Sequence, residues 1–168
     1  NNLIHRNIEG WKKITRNMAF YNYYGSFTPS ASYERPIADR IQADLQYYSE
    51  NGFAGLLPEG TADSGSGSNS WSMNALTFWL YSKLAWNPDE NINALIVEFC
   101  DKAYGDASEA MQEYYALVKL GWDEGKDGVN VKWYHPLDVY MSNFVLNSGL
   151  TDDMQAALDK AFEMAEGT

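Results

Sequence analysis

Of the 23 acidic side chains in this 168-residue chain, Glu59 has the clearest address for chemistry. It follows a short apolar run, Phe53 to Leu57, that begins directly after Gly52 and closes in the turn Pro58-Glu59-Gly60-Thr61. An apolar strand that leaves a helix-ending Gly and finishes in a carboxylate is how an α/β sheet delivers charge to a ligand cleft. A carboxylate so placed can act as a general acid or base, or accept hydrogen bonds from ligand hydroxyls. It can equally accept hydrogen bonds from the backbone of its own Gly-rich turn. The Gly, Ser and Asn run from Asp63 to Ser70 reads as a loop able to lie over such a cleft, opening into an aromatic helix near Trp71.

Other chemistries find less support. Asp63 belongs to that loop, and Asp39 and Asp44 fall on a helix where solvation is expected. His5 and His135 have no third His or nearby Cys, so no metal site is expected. Cys100 lies on an apolar helix face and reads as a buried structural thiol. There is no phosphate-binding Gly motif, and Gly65-Ser66-Gly67 lacks the strand-turn-helix context of a nucleophile elbow. No cofactor is expected. A net charge of −11 argues against nucleic acid, which needs clustered Lys and Arg, and against anionic membrane surfaces. No apolar run is long enough to span a bilayer, and no signal peptide is visible. The chain opens Asn1-Asn2-Leu3-Ile4 without an initiator Met, which reads as a chain processed or cut from something longer.

The elements that would position Glu59 can be read from periodicity. Leu3, Ile4, Ile8 and Trp11 are spaced as a helix, interrupted by Gly10 and ending near Trp11 or Lys13. Asn17 to Gly25 is nearly continuous in apolar and aromatic residues, as in a strand covered on both faces, with Asn22, Tyr23 and Tyr24 at its C-terminal end and Tyr21 and Tyr23 packed inside. Pro36 suits the first position of a helix carrying Ile37, Ile41, Leu45 and Tyr48 on one stripe and closed by Asn51-Gly52. Strand, helix, strand with short connections is a βαβ unit, so Asn22, Tyr24 and Glu59 should share one edge of a parallel sheet.

From Trp71 onward the pattern is helical. Trp79, Trp86 and Trp122 alternate with aliphatic residues and read as core, although Trp71 and Trp79 could also stack on a ligand ring. Asn87-Pro88-Asp89-Glu90 predicts a capped helix start before the amphipathic face Ile92, Leu95, Ile96, Phe99, Cys100. Asp106 is expected to cap the next helix, Pro136 to open another through about Asn147, and Thr151-Asp152-Asp153 a last one. The hydrophobic share of 45% is enough for a folded core, and the aromatic share of 15% suggests that some rings form a surface for stacking sugars or for a protein interface. Two parallel strands cannot bury both faces or close their own edges, so either the helices wrap them or they are the tail of a larger parallel structure.

Several stretches together prompt a comparison: Gly10-Trp11-Lys12-Lys13-Ile14-Thr15, Tyr21-Asn22-Tyr23-Tyr24, Tyr47 to Gly52, Gly55 to Gly60, Lys83 to Pro88 and Phe99 to Gly105. In this order they resemble a bacterial family described as domain of unknown function 4838, with Leu84-Ala85-Trp86-Asn87-Pro88 the most specific piece. The resemblance implies a secreted, periplasmic or cell-surface glycoside-hydrolase-like protein with a (β/α)8 barrel followed by helices. Under it the fold is mainly α with a small parallel β component. Residues 1–62 would be the last two βα units of a TIM-barrel-like fold, and residues 63–168 a helical appendage packed on it. Glu59 takes the position of the acidic residue at the end of the final barrel strand, while Asn22 stands where a carboxylate is expected. Asn can hold a sugar hydroxyl but cannot act as acid or base at neutral pH. Glycoside hydrolysis normally needs two carboxylates about 5 to 10 Å apart. The implied partners are a carbohydrate, bound by Glu59, Asn22, Tyr24, Trp71 and Trp79, and the N-terminal part of the same barrel, without which the chain would be inactive. The alternative is a non-catalytic carbohydrate-binding or helical scaffold module.

Overall fold

The structure, a computed structural model, describes residues 2–24, 34–59, 73–125 and 137–166. Helix α1 (Asn2–Lys12) leads to strand β1 (Ala19–Tyr23), helix α2 (Ala38–Glu50) and strand β2 (Gly55–Glu59). Helices α3 (Ala75–Trp86), α4 (Ile92–Tyr104) and α5 (Ser108–Gly125) follow, with a 3-10 turn at Gly105–Ala107. Helix α6 (Leu137–Tyr140) continues through a π turn at Met141–Val145 and a 3-10 turn at Leu146–Ser148 into α7 (Thr151–Glu166). The fold is mainly α with a small parallel β component.

The two strands pair in parallel, Ala19 with Gly55 through Tyr23 with Glu59. Parallel pairing requires a crossover, and α2 supplies it. Asn51 ends α2 and Gly52 takes φ +67°, a left-handed turn that residues with a Cβ rarely adopt. One sheet face packs on α2: Phe20 stacks on Tyr48 at 4.3 Å, and Phe53 closes edge-on at 6.0 Å. The main core continues from there through Ile41, Leu45, Leu80, Leu84, Leu95 and Phe99. Smaller clusters form around Trp122, Tyr140 and Phe144, and around Ala107, Ala110 and Ala161. Where α5 crosses the π turn, a Cβ on Gly121 or Gly125 would come within 2.5 Å of a carbonyl oxygen of Phe144 or Asn143, so glycine permits the close approach.

Several local expectations are corrected. Helix α1 ends at Lys12, within the expected Trp11 to Lys13, and passes through Gly10 unbroken. Both strands sit near their expected places, with β2 shifted to end on Glu59 itself. Tyr21 is 49% exposed and Tyr23 half-buried, because no element among the described residues covers the sheet face opposite α2. Trp86 is 92% exposed rather than core, in the last turn of α3. Asn87 does not cap α4. It ends α3 and accepts from the Asp89 N–H at 3.2 Å, while Asn91 caps α4 by accepting from the Ala94 N–H at 3.0 Å. Pro36 stands two residues before α2, with Ile37 at the cap position. Asp106 falls within the 3-10 turn, and α5 starts at Ser108.

Candidate functional site

Strand pairing decides which sequence-predicted residues meet. Glu59 and Tyr23 are register partners at the C-terminal end of the sheet, and Asn22 is the partner of Pro58 one row back. The tips of β1 and β2 therefore share one edge, as the βαβ reading requires. The side chain of Glu59, all of Trp71 and the loop from Asp63 to Ser70 lie outside the described residues.

The two other strand-end candidates converge on a residue expected to be solvated. The Asn22 amide donates to Asp44 Oδ2 at 3.3 Å, the Tyr24 hydroxyl donates to the same oxygen at 3.2 Å, and Arg40 Nε donates to Asp44 Oδ1 at 2.8 Å. The Asp44 side chain is only 12% exposed, whereas that of Asp39 is 71% exposed and pairs with Lys119 at 3.1 Å. A signal for this existed in the sequence. Asp44 falls three residues after Ile41 and four before Tyr48, on the same buried stripe of α2. Asn22 is occupied at both ends of its amide, since its Oδ1 accepts from the Tyr23 N–H at 2.7 Å. Burial, reinforced by the Asp44 charge, pushes the Tyr24 and Tyr48 hydroxyls well above the ordinary tyrosine range, so both remain protonated donors. A cleft of about 400 Å³ opens beside this cluster, lined by Ile4, His5, Ile8, Phe20, Arg40 and Tyr47 among others.

Trp79 belongs elsewhere. Its ring packs at 6.0 Å on Phe99, and Lys83 and Lys102 hold their ammonium groups 4.6 and 5.3 Å from its centroid, both tied to Glu98. Its described contacts include neither Asn22 nor Tyr24. Cys100 is fully buried; burial pushes its thiol up to about 11, which suits the structural role expected of it. Among the described residues no group of His, Cys, Asp and Glu could hold a metal ion.

Glu34 and Arg35 were not singled out by the sequence, because they lie in a connection where periodicity says nothing. Arg35 is 4% exposed and donates from Nη2 to the Tyr24 carbonyl at 3.0 Å and the Tyr23 carbonyl at 3.4 Å, fastening the end of β1 to the start of α2. Glu34 is 9% exposed, and burial pushes its carboxyl up to about 8.

A family model described as "Domain of unknown function (DUF4838)" matches residues 1–116, a span that holds both strands, α1 to α4 and the first half of α5. The chain belongs to this family. No curated protein and no solved structure matches it. The strand tips, the Asp44 cluster and the Glu34–Arg35 clamp all fall inside the DUF4838 span, while α6 and α7 lie beyond it.

Proposed function

We propose that this chain is the C-terminal part of a glycoside-hydrolase-like (β/α)8 barrel with its helical appendage, acting on or binding a polysaccharide or glycan at the tips of β1 and β2. The observation that supports this reading most is the half-covered parallel sheet. One face is packed on α2, and the other leaves Tyr21 49% and Leu57 63% exposed. Parallel sheets are ordinarily covered on both faces, and two strands with open edges are too few to stand alone. Further strands of the same barrel would bury Tyr21 and Leu57 as interior layers.

In such a barrel, ligands meet the C-terminal ends of the strands and the loops that follow them. That edge carries Glu59, which would serve as acid, base or acceptor of sugar hydroxyls, with Trp71 offered as a stacking ring. A second carboxylate would come from strands outside this chain, since the Asp44 carboxylate is engaged by three donors and Asn22 replaces the acid expected at the tip of β1. The committed Asn22 amide favours a second reading, in which the site binds glycan without turnover. Secretion, to the periplasm or the cell surface, goes with such a substrate.

The test is Glu59→Gln in the full-length protein. Loss of an acid or base should lower glycan turnover by roughly 10²- to 10⁴-fold while binding persists. Unchanged turnover removes Glu59 from the chemistry, and glycan binding by a wild-type protein that shows no turnover selects the second reading.

A further inference from the structure

A cavity of about 100 Å³ lies between the start of α2 and helices α3, α4 and α5. That is room for roughly three water molecules, or for a chain of three or four heavy atoms. Its walls are mostly apolar, from Ile41, Leu76, Leu80, Ile96 and Val118, with the Tyr115 ring among them and Asp39, Asn93 and Lys119 also on the lining. Glu34 lines it too, nine-tenths buried, and no described group hydrogen-bonds its carboxylate.

The charged neighbours among the described residues do not neutralise it. Arg35 Nη2 is directed to the carbonyls of Tyr23 and Tyr24. Lys119 is held by Asp39 and Asp123. Among the described residues, the remaining titratable groups within electrostatic reach of Glu34 are Cys100, Tyr104, Tyr114 and Tyr115, none of them a cation. The Tyr104 and Tyr115 hydroxyls satisfy each other at 2.7 Å. A carboxylate in a residue nine-tenths buried, with no donor among the described residues, beside an aromatic ring and among aliphatic walls, is complemented by a small cation with an apolar tail.

We propose that this cavity binds a small primary alkylammonium, its nitrogen on the Glu34 carboxylate and its alkyl chain among Ile41, Leu76, Leu80 and Ile96. When the cation enters, the Glu34 carboxyl transfers its proton to solvent and the ammonium keeps all of its own. Charge is conserved: one cation is taken up and one proton released. The net charge of −11 would favour arrival of a cation over an anion.

The probe is propylammonium, titrated calorimetrically into the full-length protein from pH 6 to 9, in buffers of differing ionisation enthalpy, with propan-1-ol as the neutral isostere. The expected result is close to one proton released per ligand at pH 6, and an affinity that rises about tenfold per pH unit until Glu34 is ionised near pH 8. Propan-1-ol should bind more weakly above pH 8 and without pH dependence. Glu34→Gln should abolish both the proton release and the preference for the ammonium, with the melting temperature at pH 6 held. Absence of propylammonium binding, zero proton release, or equal affinity for the alcohol would each overturn the proposal. Should the variant fail to fold, the wild-type proton count decides alone.

Discussion

Asp44 offers the sharpest test of how the sheet is tied to its covering helix. Replacing it by Ala leaves the Tyr24 hydroxyl, in a residue 5% exposed, and the Asn22 amide without their acceptor, and releases Arg40. Hydrogen bonds to a charged group contribute about 1.5–3 kcal/mol each, but at 3.2 and 3.3 Å these two are long, which argues for about 1–1.5 kcal/mol apiece. The Arg40 side chain is 68% exposed, so screening by solvent reduces its ion pair to under about 1 kcal/mol. The sum is a loss of about 3 kcal/mol for Asp44→Ala. Asp44→Asn keeps an oxygen for one donor and should lose about half of that, and Arg40→Ala under about 1 kcal/mol. Urea denaturation followed by tryptophan fluorescence measures all three. An Asp44→Ala protein within 0.5 kcal/mol of wild type (roughly the scatter of neutral surface changes) would refute the claim that Asp44 anchors β1. So would Arg40→Ala proving the costliest of the three.

Three further outcomes follow from burial. Trp122, 6% exposed and stacked on Phe144 at 4.5 Å, should cost about 3–5 kcal/mol when cut to Ala, whereas Trp86, 92% exposed, should cost under about 0.5 kcal/mol; paired denaturation curves check the order. Cys100, its thiol raised to about 11 by burial, should resist a disulfide reagent at pH 8 in the native protein and react fully in denaturant. Glu34 keeps a proton in the fold between its ordinary value of 4.5 and about 8, while the unfolded chain has released it. Stability attached to this group is therefore present below pH 4.5 and lost as pH rises to about 8, at up to about 1.4 kcal/mol per pH unit. Glu34→Gln should flatten that stretch of the stability–pH profile, and an unchanged slope would contradict burial as the cause.

Much of the architecture was legible because it rests on local rules. The α2 stripe of Ile37, Ile41, Leu45 and Tyr48, the left-handed Gly52, and the two apolar runs on either side fix a βαβ unit by spacing alone. The amphipathic face of α4 and the stop at Gly105 are equally local. What failed was the placement of single side chains. Trp86 continues a helical pattern yet is 92% exposed, two residues after the fully buried Leu84, because only one side of α3 meets the core. The mixed helical turns from Leu137 to Ser148 follow from fitting against the glycines of α5, a contact that no short window of sequence contains.

The sequence by itself determined that two parallel segments end at one edge with Glu59 on the second, since strand direction follows from chain connectivity. Only the tertiary structure decided which carboxylates are working parts of the interior. Asp44 became an anchor because β1 laid Asn22 and Tyr24 against it, and Glu34 became a neutral acid because four helices closed around it. Solvation belongs to the packed surroundings of a side chain and not to its place in the chain, and those surroundings are assembled from residues far apart in sequence.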